Sequence, residues 1–159
     1  MLAPGFSPFD PSKFDNYQYA NLPNVMTSLE FERILSASGP TMGHVTRQSK
    51  DKGEPKKIAW FQCVGSRDMN KCDHSYCSSV CCMYAVKDAM IAKEHAHGEL
   101  DCAIFNMDIR TFGKEYEKYY LRAKDKAGVR FVKARVHTID EVGEDRELRI
   151  RYFDSSDEL

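Results

Sequence analysis

The sequence predicts an α/β fold from three observations. Short apolar runs of strand length occur at residues 56–64, 101–109 and 129–136. Amphipathic helical segments fill the two intervals between these runs, at residues 81–98 and 113–128. A stretch that alternates charged and apolar residues, 147–154, follows a turn at Gly143. This order implies right-handed crossovers, so we expect a Rossmann-like parallel sheet with covering helices and a short antiparallel β excursion.

The first part of the chain is predicted to be an arm followed by a short helix. Residues 1–24 are rich in proline, asparagine and aromatic side chains without a sustained period, so we expect an extended segment that packs its Phe and Tyr side chains. Thr27 and Glu30 have the spacing of a capping box, which predicts a helix over 28–37. A polar loop leads to residue 55. We therefore divide the chain into a connecting region, 1–55, and a sheet domain, 56–159.

The later elements are predicted from the spacing of their apolar residues. The helix over 81–98 places near one face Val86, Ala89, Met90 and Ala96. The helix over 113–128 places at helical spacing Tyr116, Tyr119, Tyr120 and Ala123. Gly98 and Gly128 follow as end signals. In the last strand, charges alternate with Leu148, Ile150 and Tyr152, which indicates a half-exposed antiparallel strand.

Composition excludes several classes of protein. The chain has 159 residues, of which 42% are hydrophobic and 30% charged, typical of one ordinary soluble globular domain. Its formal net charge of −1 gives no electrostatic case for binding nucleic acid or an anionic membrane. No apolar run approaches the roughly 20 residues of a membrane span, and the first residues do not resemble a signal peptide. We expect a cytoplasmic protein, in which disulfides are disfavoured.

Five of the six cysteines lie between Cys63 and Cys82. The adjacent pair Cys81-Cys82 is a poor disulfide but can serve one metal cluster. Crowded thiolates need a cation to neutralise them, and a helix start such as the one predicted here favours thiolate over thiol. Four thiolates satisfy a [4Fe–4S] cluster. We predict as its ligands Cys63, Cys77, Cys81 and Cys82.

Other interpretations of these residues stay open. Zinc is the main alternative metal and would make the chain a zinc-stabilised structural module that only docks partners. Zinc sites, however, usually use paired cysteine spacings rather than adjacent cysteines. A thiol–disulfide function would use Cys81 or Cys82 as the nucleophile. Cys72 is interpreted as spare and Cys102 as a buried hydrophobic residue. His74 is more simply a loop residue than a ligand.

The turn after the first strand argues against a dinucleotide site. A glycine-rich turn would let pyrophosphate approach the backbone, but only Gly65 is present here, with about a dozen further residues before the helix. Arg67 and Arg110 follow strand ends and could reach a phosphate or a reduced metal cluster, although surface arginines need no such role.

The runs AWFQCVGSRD and YCSSVCCMYAVKDA resemble the A subunit of heterodisulfide reductase and its relatives in anaerobes. The resemblance extends from about Gly5 to Leu159 and includes NLPNVM and FNMDIR. It implies a flavoprotein of thioredoxin-reductase type with several iron–sulfur clusters and an electron-transfer role. The family's C…CxxxCC pattern matches Cys63, Cys77, Cys81 and Cys82 and leaves Cys72 outside.

The resemblance also implies that this chain is an internal fragment. FAD would be bound only by the full-length protein, and residues 1–55 would link to the missing FAD-binding part. We expect a fragment that is not catalytically complete alone. Its expected partners are other heterodisulfide reductase-like subunits or redox proteins. Exposed N-terminal aromatics suggest, as a hypothesis, a homo-oligomer of the fragment.

Overall fold

A computed structural model describes residues 1–5 and 7–153. The chain forms a three-stranded parallel sheet, helices on one face of it and a separate β-hairpin. The elements are α1 (Ser28–Leu35), β1 (Lys57–Phe61), α2 (Cys81–His95), β2 (Asp101–Asn106), α3 (Tyr116–Leu121), β3 (Arg130–Lys133), β4 (Val136–Val142) and β5 (Glu147–Tyr152). The prediction of an α/β fold with a parallel sheet and an antiparallel excursion is confirmed. Asp154, the end of the last predicted strand, lies outside the described residues.

The parallel sheet has the order β1-β2-β3, so each strand pairs with the next one along the chain. Trp60 is opposite Ile104, and Phe105 is opposite both Phe61 and Val132. Parallel pairing requires a crossover connection, which α2 and then α3 supply. The carboxyl ends of all three strands consequently meet at one edge of the sheet.

The face of the sheet that carries Trp60, Cys102 and Ile104 is covered by helices. Side chains alternate between the two faces of a strand, so these residues share one side. Phe31 of α1 packs edge-on against Trp60, with ring centroids 5.6 Å apart. In α2 the predicted residues Val86, Ala89 and Met90 are buried in the same cluster. Helix α2 therefore packs on the sheet as its apolar spacing predicted, whereas Tyr116 of α3 is exposed.

The opposite face of the sheet is covered by the arm and the hairpin. Phe105 and Ala103 contact a cluster that contains Phe14 and Tyr17 of the arm. The Tyr17 hydroxyl donates to the Val136 carbonyl at 3.3 Å, which joins the arm to β4. Packing of the arm's aromatics is thus confirmed for Phe14 and Tyr17. The expected exposure of the N-terminal aromatics, on which the self-association hypothesis depended, is wrong for these two residues because the sheet buries both rings. Phe6 lies outside the described residues.

Two local predictions are corrected by the backbone. The arm is not simply extended, because it contains two short 3₁₀ turns, Pro11–Lys13 and Asp15–Tyr17. The predicted helix over 113–128 is a six-residue α3 followed by a π-helical turn, Arg122–Lys126. Positive φ angles at Gly113 (113°) and Glu115 (71°) delay its start, because an α-helix requires negative φ.

The capping box at α1 is present as predicted. The Thr27 hydroxyl accepts from the Glu30 backbone N–H at 3.3 Å, and the Glu30 carboxylate accepts from the Thr27 N–H at 2.7 Å. These bonds satisfy donors that a helix start leaves free. None of the helices in the described part of the chain has the length and apolar character that crossing a membrane requires.

Candidate functional site

Cys63 lies just beyond the carboxyl end of β1. The Gln62 backbone N–H still donates to Phe105 of β2 at 3.0 Å, and the chain leaves the sheet at the next residue. Cys63 has a left-handed φ of 61° and is 6% exposed. The sheet edge thereby holds this thiol in a buried position, where open α/β sheets usually bind their ligands.

The loop after Cys63 folds back on itself. Asp68 and His74 exchange two backbone hydrogen bonds, of 2.8 and 3.2 Å, and His74 Nδ1 donates to the Gly65 carbonyl at 2.9 Å. The Arg67 N–H donates to the Tyr76 carbonyl at 3.2 Å. These hydrogen bonds fold the loop back toward the end of β1, so that Cys77 lies near Cys63 although the two are far apart in sequence.

Helix α2 begins at Cys81, with Val80 as its N-cap residue. Val80 has no side-chain acceptor, so no cap hydrogen bond satisfies the first N–H groups of the helix. Backbone N–H groups at a helix start carry a partial positive charge that favours thiolates. The Ser79 N–H also lies 3.4 Å from Cys77 Sγ. The helix start thus directs positive partial charge at the cysteines.

The four predicted ligands interact electrostatically, and we call them the thiol site: Cys63, Cys77, Cys81 and Cys82. Burial raises the pKa of Cys63, and nearby Cys81 and Cys77 add to this, whereas Arg67 opposes it. The Cys82 thiol donates to Cys81, which lowers the pKa of Cys81 below that of an ordinary thiol and raises the pKa of Cys82. Of the adjacent pair, Cys81 is therefore the thiol that loses its proton more readily.

The loop holds several residues in disfavoured backbone conformations. Left-handed φ angles occur at Cys63 (61°), Arg67 (55°), Asp73 (54°) and Ser79 (66°). Such angles cost on the order of 1 kcal/mol or more each outside glycine, and they persist where the surroundings enforce them. Strain of this kind clusters at functional sites, which agrees with a loop shaped to position its thiols.

The two remaining cysteines lie away from the thiol site. Cys72 Sγ donates to the Asp68 carbonyl at 3.0 Å and packs with the aromatic residues of the arm. Cys102 is fully buried under the helices, where burial raises its pKa to about 12. Within the described residues, none of the six thiols is paired in a disulfide. In the same residues, no group of three or more His, Cys, Asp or Glu side chains is arranged to hold a single metal ion.

Asp108 belongs to the site and was not predicted from the sequence. It follows β2 and forms ion pairs with both Arg67 and Arg110, the latter at 3.2 Å. Its backbone carbonyl lies 4.0 Å from Cys82 Sγ. One feature of the sequence could have indicated Asp108: it is an acidic residue in the run NMDIR, at the end of a predicted strand. The carboxyl ends of neighbouring parallel strands meet at this edge of the sheet.

The sequence of the chain is similar to those of known proteins. No protein-family model matches the chain. The chain is 45% identical over 155 residues to the second iron-sulfur A subunit of CoB–CoM heterodisulfide reductase from Methanopyrus kandleri. It is equally similar to the A subunit of H2/formate:CoB–CoM heterodisulfide,ferredoxin reductase from Methanococcus maripaludis. The iron-sulfur A subunit of CoB–CoM heterodisulfide reductase from Methanocaldococcus jannaschii is 42% identical to the chain. Each alignment covers 98% of this chain and 23% of the relative, so the chain spans about a quarter of their length.

Proposed function

Because the chain matches a segment of the heterodisulfide reductase A-subunit family, we propose that it is an electron-transfer segment that binds one [4Fe–4S] cluster. The proposed ligands are Cys63, Cys77, Cys81 and Cys82. The observation that supports the proposal is the thiol site: Cys63 follows β1, Cys81 and Cys82 begin α2, and the charges of Cys81 and Cys77 raise the pKa of Cys63.

The donor set suits such a cluster. A cubane cluster takes one thiolate at each of four irons, so its ligands do not have to converge on one point as they do for a single ion. Free N–H groups at the start of α2 and the Arg67 side chain supply positive charge beside the thiolates. The bound cluster would accept and release one electron at a time.

The protein's own residues would do four things at the site. The four cysteines would hold the metal, and the burial of Cys63 and Cys82 would limit access of water. Amide groups near the sulfurs, such as that of Ser79, would stabilise negative charge. The folded loop would keep the ligands in place during electron transfer, which avoids structural reorganisation.

Several wider features are also proposals. We propose that the sheet is half of a Rossmann-like unit in the whole protein, supported by the strand order β1-β2-β3 with helical crossovers. We keep the division into a connecting region, 1–55, and a domain, 56–159. FAD, other subunits of a heterodisulfide reductase complex and a cytoplasmic location are proposed for the whole protein only. A reducing compartment would keep the thiols available.

The proposal is tested by anaerobic expression of the chain, reconstitution with iron and sulfide, and measurement of both elements with the visible spectrum. We expect about four irons and four sulfides per chain. Cys81→Ser should lose them together. Cys72→Ser is the matched control and should keep them, because Cys72 binds the Asp68 carbonyl instead. Stoichiometric zinc without sulfide, or equal loss in both variants, would contradict the proposal.

A thiol–disulfide function is favoured by one observation, the lowered pKa of Cys81 at a helix start beside Cys82. Such a thiol would be alkylated faster than the others in metal-free protein. Selective labelling of Cys81 in a chain that binds no iron and sulfide would support this alternative. Labelling that is slow at all six thiols would exclude it.

A further inference from the structure

Arg67 is the cation nearest to the thiol site in the described contacts. Its Nη1 atom lies 4.0 Å from Cys63 Sγ, and the side chain is only 22% exposed. The same nitrogen donates to the Asp108 carboxylate. The guanidinium group is thus fixed between a sulfur on one side and a carboxylate on the other.

The backbone also enforces the position of Arg67. Its N–H is bonded to the Tyr76 carbonyl, and its φ of 55° is in the left-handed region that residues other than glycine rarely adopt. A residue held there at an energetic cost is over-determined by its surroundings. Arg67 therefore does not occupy this place as a freely moving surface side chain.

The ion-pair network leaves a positive balance next to the sulfurs. Arg67 and Arg110 both pair with Asp108, so two positive charges meet one negative charge. Arg110 binds the other carboxylate oxygen of Asp108, and it is Arg67 that approaches a sulfur. Because Arg67 is mostly shielded from water, its field at Cys63 is only partly screened.

We propose that Arg67, anchored by Asp108, is an electrostatic positioning residue that raises the reduction potential of the group held by the thiol site. The inference rests on the proposed iron–sulfur function. Reduction adds one electron from a one-electron donor, such as a reduced viologen, and makes the site one unit more negative without breaking a bond. A fixed positive charge stabilises that reduced state more than the oxidised state.

The test is a redox titration of the anaerobically reconstituted chain, followed by electron paramagnetic resonance and the visible spectrum. At the wild-type midpoint, we expect Arg67→Gln to lower the ratio of reduced to oxidised cluster about tenfold, which is about 59 mV for one electron. Arg130→Gln is the matched control. It removes another arginine that is paired with an aspartate, Asp101, but at the amino end of the strands, and should leave the ratio unchanged.

A second variant tests the opposite sign. Asp108→Asn removes a negative charge, while its amide oxygen can still accept from Arg67, so the ratio should rise about threefold, or about 30 mV. This variant also decides the question if Arg67→Gln fails to bind the cluster. Equal potentials for wild type and Arg67→Gln, or an unchanged or lower ratio in Asp108→Asn, would overturn the inference alone. Wild-type chain without iron and sulfide would overturn the proposed function as well.

Discussion

Asp88 is a buried residue whose carboxylate oxygens lack hydrogen-bond partners among the described residues. The residue is on α2 and is 0% exposed, and neither of its carboxylate oxygens has a hydrogen-bond partner in the described structure. Lys87 Nζ is 3.7 Å from Oδ1, and Glu32 faces the same region. Burial raises the pKa of Asp88 from about 3.8 to about 7, so the neutral acid is favoured in the folded chain.

The raised pKa predicts a pH-dependent loss of stability. The folded chain binds the Asp88 proton more tightly than the unfolded chain does. This proton therefore makes its full contribution to the unfolding free energy below pH 4, and the contribution declines as pH rises toward about 7. The total decline is at most about 4 kcal/mol, at about 1.4 kcal/mol per pKa unit. Asp88→Asn should lack this decline. The unfolding free energy of the variant, relative to that of the wild type, should therefore increase between pH 4 and pH 8.

Urea unfolding of both chains at several pH values checks this prediction. Glu94→Gln, which changes an exposed carboxylate on the same helix, is the control and should follow the wild-type curve. Parallel pH profiles for wild type and Asp88→Asn would show that the carboxyl group is not the cause.

At the scale of elements, the arm and the loop after β1 are joined by one close contact. Gly65 has a left-handed φ of 76°, and a Cβ atom built on it would lie 2.1 Å from Cγ of Phe9. The Phe9 ring therefore packs directly on the glycine backbone, and it also lies 5.2 Å from the Phe14 ring. Only glycine permits both the backbone angle and this approach.

Gly65→Ala should lower the unfolding free energy by about 2–4 kcal/mol, the sum of backbone strain and an overpacked contact. In a Phe9→Ala background the same change should cost only the strain, about 1–2 kcal/mol. Chemical denaturation of the four chains measures the coupling between the two residues.

Gly143→Ala provides the control for backbone strain alone. Gly143 has a similar φ of 71°, and nothing lies within 4 Å of the position that a Cβ atom would take there. Its substitution should match the cost of Gly65→Ala in the Phe9→Ala background. An unchanged cost of Gly65→Ala with and without Phe9 would refute the close contact.

At the scale of the whole molecule, the sheet has an apolar cluster on each face. Phe31 belongs to the helix side together with Trp60, and Phe14 belongs to the side covered by the arm and hairpin. Each phenylalanine is 7% exposed. Three short strands separate the two clusters, so neither cluster can lose its packing without exposing the sheet that supports the other.

We predict that both clusters unfold in one cooperative transition. Phe14→Ala and Phe31→Ala should each lower the unfolding free energy by about 3–5 kcal/mol. Since Trp60 is the single tryptophan and lies on the face opposite Phe14, its fluorescence reports whether loss of Phe14 affects the far side.

The measurement compares Trp60 fluorescence with far-UV circular dichroism during urea unfolding. Both signals should shift together in Phe14→Ala. Phe112→Ala, at a side chain that is 55% exposed, should change stability by less than about 0.5 kcal/mol. A fluorescence transition that stays at its wild-type midpoint in Phe14→Ala would indicate two independent units.

Local patterns in the chain were sufficient for the α/β class, the capping box at Thr27 and the buried stripe of α2, because periodicity and capping depend on neighbouring residues. The cysteine spacing likewise indicated which thiols could serve one metal cluster. Contacts between distant segments decided three other features: the position of Cys72, the pairing of Arg67 with Asp108 and the burial of the arm's aromatics. Arg67 and Asp108 are 41 positions apart and meet because parallel pairing of β1 with β2 brings the loops that follow them to one edge. Such contacts are set by the packing of the sheet, which no local pattern encodes.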